Sequence, residues 1–356
     1  MKFGFILIFF ALNFLHLYAE EKFKVGILNP LSGHLQEYGK NCQQGYQIAI
    51  NEQSDFLKSK IDFIYEDDQS TVKSGISAFN KLLNEKNLIS ILLFGANIGL
   101  AVNPLSVKAQ LPIIGLTGHS GFQKNNIYAF SPWIDSALEA DLIAKYIKQK
   151  DYKDVAIITT ENEYSIFIRK NLIENLNKNK ASIVYDELIP NEINFRPLIS
   201  KIKARNPELI VVNLIGESFS IFARQLGELG NKLDLISINT NATKHFLKLA
   251  GSASATNNIV FFNPYYSELF DIKNIKIKDD ELGNYIFSCY LGMDFLLKAI
   301  NTLLKINNLN RINLYKELSK IKSLEYENLI IPVKDRRIQF KLKKHISLDY
   351  KILPAE

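Results

Sequence analysis

Residues 23–33 read Phe-Lys-Val-Gly-Ile-Leu-Asn-Pro-Leu-Ser-Gly, and this stretch decides the fold. Its first part, Phe23–Leu28, is a short apolar run with β-branched residues, and the Asn, Pro, Ser and Gly that follow are turn formers, so the stretch predicts a strand and then a turn. A segment with helical spacing follows at Tyr38–Gln53. Strand, turn and helix in this order are typical of the βα units that build parallel sheets.

The same βα pattern repeats along the chain in two series. The first series has predicted strands at Phe23–Leu28, Ile61–Tyr65, Ile89–Phe94 and Pro112–Gly115, with helices near Tyr38–Gln53, Thr71–Glu85 and Gly99–Ala109. The second has strands at Val155–Thr159, Ser182–Leu188, Leu209–Leu214 and Leu235–Ile238, with helices near Tyr164–Asn179, Phe195–Ala204, Ser218–Leu229 and Ala242–Ala250. Two such series predict an α/β protein of two Rossmann-like lobes, with a ligand cleft between them at the carboxyl ends of the strands.

A strand at Asn258–Phe262 ends the second series, and the chain then changes character. A long apolar helix is predicted near Leu282–Leu304, and we expect it to return to the first lobe. Cys42 and Cys289 both fall in predicted helices. They can pair in an oxidising compartment, but their spacing does not show it, and two buried thiols are the favoured interpretation.

The first nineteen residues predict export. Lys2 precedes an apolar run from Phe3 to Ala11 that continues to Leu17, and Ala19 supplies a small residue before the charged Glu20. This is the pattern of a secretory signal peptide at residues 1–19, cleaved near Ala19, and its apolar part is too short for a membrane span. The remaining chain is expected to be soluble and monomeric, without membrane insertion.

Composition argues against several classes of function. The formal net charge is +6, with lysines spread among Glu and Asp rather than gathered in one stripe, so nucleic acid is not an expected partner. Nucleophile-elbow, zinc-protease and P-loop motifs do not occur, and Gly115, Gly118 and Gly121 do not have dinucleotide-binding spacing. We therefore expect no enzymatic activity, no cofactor and no metal.

Short motifs along most of the chain resemble the leucine/isoleucine/valine-binding protein family. They are the segments 24–33, 37–39, 65–70, 110–114, 128–131, 162–164 and 194–203, and the resemblance runs from about residue 23 to 265. It implies a type I periplasmic-binding fold whose lobes are joined by a three-stranded hinge. The implied hinge strands lie near Phe130–Ser136, near Phe262–Tyr266 and before Ile338–Phe340. Residues 20–132 plus about 266–330 would form lobe one, and residues 133–265 plus about 331–356 would form lobe two.

In that family, two loops of lobe one hold the ligand's carboxylate with hydroxyls and backbone amides. The matching loops carry Gly95, Ala96 and Asn97, and Thr117, Gly118 and His119. The family's serine is replaced by Gly95 or Ala96, and its threonine falls on His119. The backbone N–H groups do not depend on the side chains that change, so these two loops are still expected to bind a polar or anionic group of the ligand. Tyr38 falls where the family places an aromatic wall.

In lobe two, the resemblance places Tyr164 near the mouth of the cleft. The family holds the ligand's ammonium with an acidic residue and a tyrosine in this lobe, but the matching loops carry Asn213 and Leu214, and Thr240. A buried ammonium would lose its counter-charge there. A branched-chain amino acid is therefore not the expected ligand.

The sequence thus predicts a periplasmic solute-binding protein that delivers a small polar or anionic molecule, such as an amino acid-like compound, an amide or a carboxylate, to an inner-membrane ABC permease. A sensor of the same fold, partnering a receptor kinase or chemoreceptor, remains an alternative. The paired carboxylates Asp67 and Asp68 also permit acid–base chemistry, but the resemblance assigns them a structural role.

Overall fold

The protein is described here by a computed structural model that covers residues 21–190, 194–230, 233–264, 276, 282–327 and 329–355. The predicted signal segment lies outside the described residues. Two sheets, one parallel and one mainly parallel with an antiparallel edge, are flanked by helices and form two lobes, as the βα repeats predict.

The first lobe is built on a five-stranded sheet in which every pair is parallel, with the order β2-β1-β3-β4-β5. Its strands are β1 (Phe23–Asn29), β2 (Ile61–Asp67), β3 (Leu88–Phe94), β4 (Ile113–Leu116) and β5 (Ala129–Phe130). Its helices are α1 (Gln36–Asn51), α2 (Asp55–Lys60), α3 (Val72–Leu83), α4 (Ala96–Ala109) and α5 (Gly121–Lys124). All seven residues of β3 are buried, as expected of a central parallel strand covered on both faces.

The second lobe is built on a seven-stranded sheet with the order β15-β14-β10-β9-β8-β6-β7. The parallel strands are β6 (Asp154–Thr160), β7 (Ser182–Ile189), β8 (Leu209–Asn213), β9 (Asp234–Ser237) and β10 (Val260–Pro264). The helices that accompany them are α6 (Ser136–Gln149), α7 (Glu163–Asn179), α8 (Arg196–Lys203), α9 (Glu217–Glu228), α10 (Lys244–Leu249) and α11 (Ala253–Thr256), with a 3₁₀ turn at Asn239–Asn241. The antiparallel edge is formed by β14 (Leu342–Leu348) and β15 (Lys351–Pro354).

Residues 323–338 form a third, small antiparallel sheet of β11 (Ser323–Tyr326), β12 (Leu329–Lys334) and β13 (Arg337–Ile338). Ser131, in the first crossover between the lobes, forms a parallel bridge with Arg337 of β13. The chain therefore passes between the lobes after β5, after β10 and after β13. Part of the second predicted hinge strand, including Tyr265 and Tyr266, lies outside the described residues.

The apolar helix near the C-terminus is α12 (Gly283–Lys305), which α13 (Arg311–Lys320) follows. It is long and apolar enough to span a membrane, but 83% of its most apolar window is buried inside the protein. Its main contact is with α1 of the first lobe.

The favoured interpretation of the cysteines is wrong. Cys42 of α1 and Cys289 of α12 form a disulfide, with their Cα atoms 5.2 Å apart. Sequence spacing could not show the pairing because 247 positions separate the two residues and only the packing of α1 on α12 brings them together.

This bond gives a first prediction, since a cross-link over so long a loop restricts the unfolded chain. The Cys42→Ser, Cys289→Ser double variant is expected to lower the free energy of unfolding by about 2–4 kcal/mol, measured by urea denaturation. The oxidised wild-type protein should react with a thiol reagent in denaturant only after reduction. Two reactive thiols without reduction would contradict the pairing.

Candidate functional site

A cavity of about 570 Å³ lies between the two lobes. Its volume is in the range typical of small-molecule sites, about 300–1,000 Å³. The walls come from the carboxyl ends of strands in both sheets, from the start of α1 and α9, and from the start of α12. The described residues that line it are His34, Leu35, Glu37, Tyr38, Asp68, Ser70, Val72, Phe94, Gly95, Ala96, Asn97, Ile98, Leu116, Trp133, Thr160, Glu161, Asn162, Tyr164, Pro190, Ile215, Gly216, Glu217, Ser218, Ile221, Thr240, His245, Phe246 and Tyr285.

Five aromatic side chains form a continuous cluster on the cavity wall. The ring of Tyr285 lies 4.8 Å from the rings of Tyr38 and Trp133 and 5.9 Å from that of Phe94, measured between centroids. Phe246, from the second lobe, lies 5.8 Å from Tyr38. Such rings provide a rigid apolar surface whose faces carry negative partial charge.

Four residues of the lining have a buried polar atom without a hydrogen-bond partner among the described residues. They are the Tyr38 hydroxyl, Asp68 Oδ2, Thr160 Oγ1 and Thr240 Oγ1. Buried polar atoms in native proteins are almost always paired. Six other described residues, outside the lining, also have such an atom, so the four in the lining are candidate ligand contacts because of the cavity beside them. Two of the four residues belong to each lobe.

Six of the residues predicted from the sequence line the cavity: Tyr38, Gly95, Ala96, Asn97, Tyr164 and Thr240. Gly95 has a φ of +84°, which favours glycine, and directly precedes α4. The first backbone N–H groups of α4 therefore lie at the cavity, where the positive end of the helix dipole favours an anion.

Five predicted residues do not line the cavity. Thr117 is buried and accepts a hydrogen bond from the His119 backbone N–H, while Gly118 packs against Ser136 and Ile134. The His119 ring stacks on Phe167, with centroids 4.1 Å apart, and its Nδ1 accepts a hydrogen bond from the Gly121 N–H. Burial lowers the pKa of His119, which disfavours the protonated form.

The other two are in the second lobe. The Asn213 amide donates to the Ser165 carbonyl at 2.8 Å, and Leu214 is fully buried. The structure thus brings together the aromatic wall, the α4 loop and Thr240, but not the β4 loop or the end of β8.

Sequence reasoning missed most of the aromatic cluster: Phe94, Trp133, Phe246 and Tyr285. Phe94 ends a predicted strand and so carried a usable signal, because ligands bind at the carboxyl ends of such strands. Tyr285 is on α12 and Phe246 on α10, and neither position follows from the βα pattern.

The lobes contact each other across the cavity. The Asn97 side-chain oxygen, in the first lobe, accepts a hydrogen bond from the Glu163 N–H at the start of α7, with an N···O distance of 3.1 Å. Gly216, before α9, leaves no room for a side chain, because a Cβ there would lie 2.5 Å from the Tyr38 hydroxyl. These contacts define a closed arrangement of the lobes.

A buried carboxyl stands behind the cavity wall in the second lobe. Glu139 of α6 accepts hydrogen bonds from the Asn239 backbone N–H at 2.6 Å and from the Asn239 side chain. The Asn239 amide also donates to the Tyr164 hydroxyl at 3.1 Å, so Glu139 positions a tyrosine of the lining. Burial raises the pKa of Glu139 to about 7, and these hydrogen bonds oppose part of that effect.

Within the described parts of the chain, no group of three or more His, Cys, Asp and Glu side chains is arranged to hold a metal ion. Asp67 has a structural role, since its carboxylate accepts hydrogen bonds from the N–H groups of Leu31, Ser32 and Gln69. These bonds lower the pKa of Asp67 against the effect of burial.

Fold and cavity together define a two-lobed binding protein of the type I periplasmic class, with its site between the lobes. The chain belongs to the periplasmic binding protein family, whose model matches residues 22–342.

Curated relatives carry the name Leu/Ile/Val-binding protein. BraC3 of Rhizobium johnstonii is 24% identical over 60% of this chain and 60% of its own length. Homolog 2 of Brucella abortus is 23% identical over 78% of this chain and 77% of its own length. The chain thus aligns with less than two thirds of the Rhizobium protein and about three quarters of the Brucella protein.

Solved structures confirm the fold. A leucine binding protein from Thermotoga maritima has a TM-score of 0.81 at 15% identity, covering 94% of this chain and 98% of its own. A solute-binding protein of an ABC transporter from Rhodopseudomonas palustris, in complex with 3,4-dihydroxybenzoic acid, has a TM-score of 0.82 at 19% identity, covering 94% and 96%.

The closed arrangement gives a prediction about Gly216. In Gly216→Ala, the new methyl group would meet the Tyr38 hydroxyl and hold the lobes apart, at a cost typical of overpacking, so ligand affinity should fall by about tenfold or more. Isothermal titration calorimetry measures the change.

Gly230→Ala is the matched control. Gly230 also has a positive φ, +68°, but a Cβ there meets nothing within 4 Å. The control also places an alanine at a positive φ, as Gly216→Ala does at a φ of +61°, but without the contact to Tyr38. Equal affinity loss in both variants would show that strain, not lobe closure, is responsible.

The buried Glu139 predicts a pH dependence of stability. Its folded-state pKa, about 7, lies above the ordinary 4.5, so its stabilising contribution is complete below about pH 4.5 and is lost as pH rises through 7. The free energy of unfolding should fall between pH 5 and pH 8, by an amount on the order of 2–3 kcal/mol for this group.

Urea denaturation of the ligand-free protein at several pH values measures this slope. Glu139→Gln should reduce the slope without abolishing it, because burial also raises the pKa of Asp68 to about 7. An unchanged slope in the variant would show that Glu139 is ionised in the folded protein throughout this range.

Proposed function

We propose that this chain is the solute-binding component of an ABC transporter, which captures a small molecule between its lobes and presents it to an inner-membrane permease. The observation that carries the proposal is the cavity itself. It is closed by contacts between the lobes, and residues of both lobes that line it have unpaired buried polar atoms.

A ligand that reaches both lobes stabilises the closed state, because it makes contacts there that the open state cannot offer. Tyr38 and Asp68 contribute from the first lobe, and Thr160 and Thr240 from the second. A permease that recognises the closed form would thereby distinguish loaded from empty protein.

The ligand proposed here has an apolar body that packs on the aromatic cluster. Names of similar proteins support this. A relative from Escherichia coli is a Leu/Ile/Val-binding protein, and structures with similar folds hold isoleucine or 3,4-dihydroxybenzoic acid. The free N–H groups at the start of α4 suit a carboxylate, in keeping with the sequence-based expectation.

Location in the periplasm fits this role. We propose that residues 1–19 direct export and that cleavage occurs near Ala19, which leaves the mature chain in the compartment where the permease collects solutes. An oxidising periplasm also agrees with the disulfide between Cys42 and Cys289.

A solute screen tests the proposal. Residues 20–356 are purified and their thermal unfolding is followed with amino acids, amides, carboxylates and amines; a solute specific for the folded state should raise the melting temperature by mass action. Small-angle scattering should then show that the solute makes the protein more compact.

Tyr38→Ala should weaken binding of that solute, because Tyr38 lies in the aromatic cluster and has an unpaired hydroxyl at the cavity. Tyr152→Ala is the matched control, since Tyr152 lies outside the lining and its hydroxyl bonds to Asp234 within the second lobe. An equal loss of affinity in both variants would show that the solute does not bind in this cavity. Absence of any binding solute would contradict the proposed function.

A further inference from the structure

The cavity has an unusual balance of charge for a basic protein. The whole chain has a formal charge of +6, but four carboxylates line the cavity, from Glu37, Asp68, Glu161 and Glu217. None of the described lining residues is Lys or Arg, and His34 and His245 are the only basic side chains there. None of the four carboxylates forms an ion pair with another described residue. Glu37, Glu161 and Glu217 are exposed to solvent, which screens their charges, whereas Asp68 is buried; together the four favour a cation over an anion.

Asp68 is the carboxylate that most requires a partner. Its side chain is fully buried; Oδ1 accepts a hydrogen bond from the Ser70 N–H at 2.7 Å, but Oδ2 has no partner among the described residues. Burial raises the pKa of Asp68 to about 7, as expected of a carboxyl without a counter-charge. A buried carboxylate is unfavourable unless a cation or a hydrogen-bond donor meets it.

Asp68 is connected to the aromatic wall through the start of α1. The Ser70 hydroxyl accepts a hydrogen bond from the Leu35 N–H at 3.0 Å, and α1 then carries Glu37 and Tyr38 into the lining. Burial raises the pKa of the Tyr38 hydroxyl, and the charge of Glu217, from the other lobe, raises it further. Carboxylates from both lobes thus lie near the tyrosine that begins the aromatic cluster.

Aromatic faces add a second, independent preference for positive charge. Tyr38, Phe94, Trp133, Phe246 and Tyr285 form one connected cluster on the same cavity. A cation within about 6 Å of such a ring face is attracted by the ring's quadrupole, more strongly when water is excluded. The buried carboxylate of Asp68 and the aromatic cluster therefore both favour a cationic ligand.

We infer that the physiological ligand carries a net positive charge, on an amine, guanidine or quaternary ammonium group, and that Asp68 and Glu217 are its counter-charges. This inference rests on the proposed function and names its ligand class. The start of α4 can still accept a carboxylate, because its first turn has no acidic residue. A ligand with one carboxylate and two cationic groups satisfies both features.

A binding assay with defined probes tests the inference. Choline, putrescine, agmatine, lysine and arginine serve as cationic or basic solutes, with leucine and 3,4-dihydroxybenzoate as neutral or anionic ones. At least one cationic solute should raise the melting temperature, and titration calorimetry should then give its dissociation constant. Asp68→Asn should weaken that binding about tenfold or more. Glu217→Gln, at an exposed residue, should weaken it about two- to fivefold.

Glu66→Gln is the matched control. Glu66 lies two positions before Asp68, pairs with Lys81 at 2.6 Å and does not line the cavity, so the variant makes the same change in net charge without touching the site. Its affinity for the cation should equal that of the wild type. Asp68→Asn retains an oxygen for the Ser70 N–H, and its melting temperature without ligand checks folding; Glu217→Gln provides the test if Asp68→Asn does not fold.

The outcomes separate the inference from the proposed function. Binding of leucine or 3,4-dihydroxybenzoate alone would overturn the cationic ligand and leave a solute-binding protein. Binding of a cation with unchanged affinity in both cavity variants would overturn the roles of Asp68 and Glu217. If none of the probes bound, the inference would be overturned. The proposed function would still be tested by the wider solute screen described above, which would contradict it only if no solute bound.

Discussion

The buried guanidinium of Arg337 is the contact on which the arrangement of the lobes depends. It donates to the backbone carbonyls of Thr117 and Trp133, both at 2.9 Å, and to the side chains of Ser131 and Gln123. Burial lowers its pKa to about 10, which still leaves the group charged at neutral pH. A buried charge of this kind is tolerated only when its donors are satisfied, so the surrounding carbonyls must keep their positions.

This requirement links the hinge to the site. Residues 131–134 form the first crossover between the lobes, and Arg337 holds them against β13. Trp133 belongs to that crossover, and its ring faces Tyr285 at the cavity. The hydrogen bonds of Arg337 that join these two hinge segments therefore also position the Trp133 ring of the aromatic cluster. Thr117, which the sequence suggested as a ligand contact, instead supplies its carbonyl to this hinge contact.

The fold could be predicted from the sequence, and the site could be predicted only in part. Strand β1 and its successors follow from local apolar runs and turns, because each βα unit is specified by neighbouring residues. The disulfide and Tyr285 depend on how α12 packs on α1, which no local pattern encodes. The family resemblance predicts His119 as a ligand contact, yet its ring stacks on Phe167. Lobe boundaries and ligand contacts taken from the resemblance stay predictions.

Unpaired polar atoms in the cavity lining affect the stability of the closed form. A core selected only for stability would pair or remove the Asp68 carboxyl and the hydroxyls of Thr160 and Thr240. Leaving them unpaired lowers the stability of the empty closed form, because each has lost water without gaining a partner. A ligand that supplied the missing bonds would stabilise the closed form selectively, which is the coupling between binding and closure that the proposed function requires.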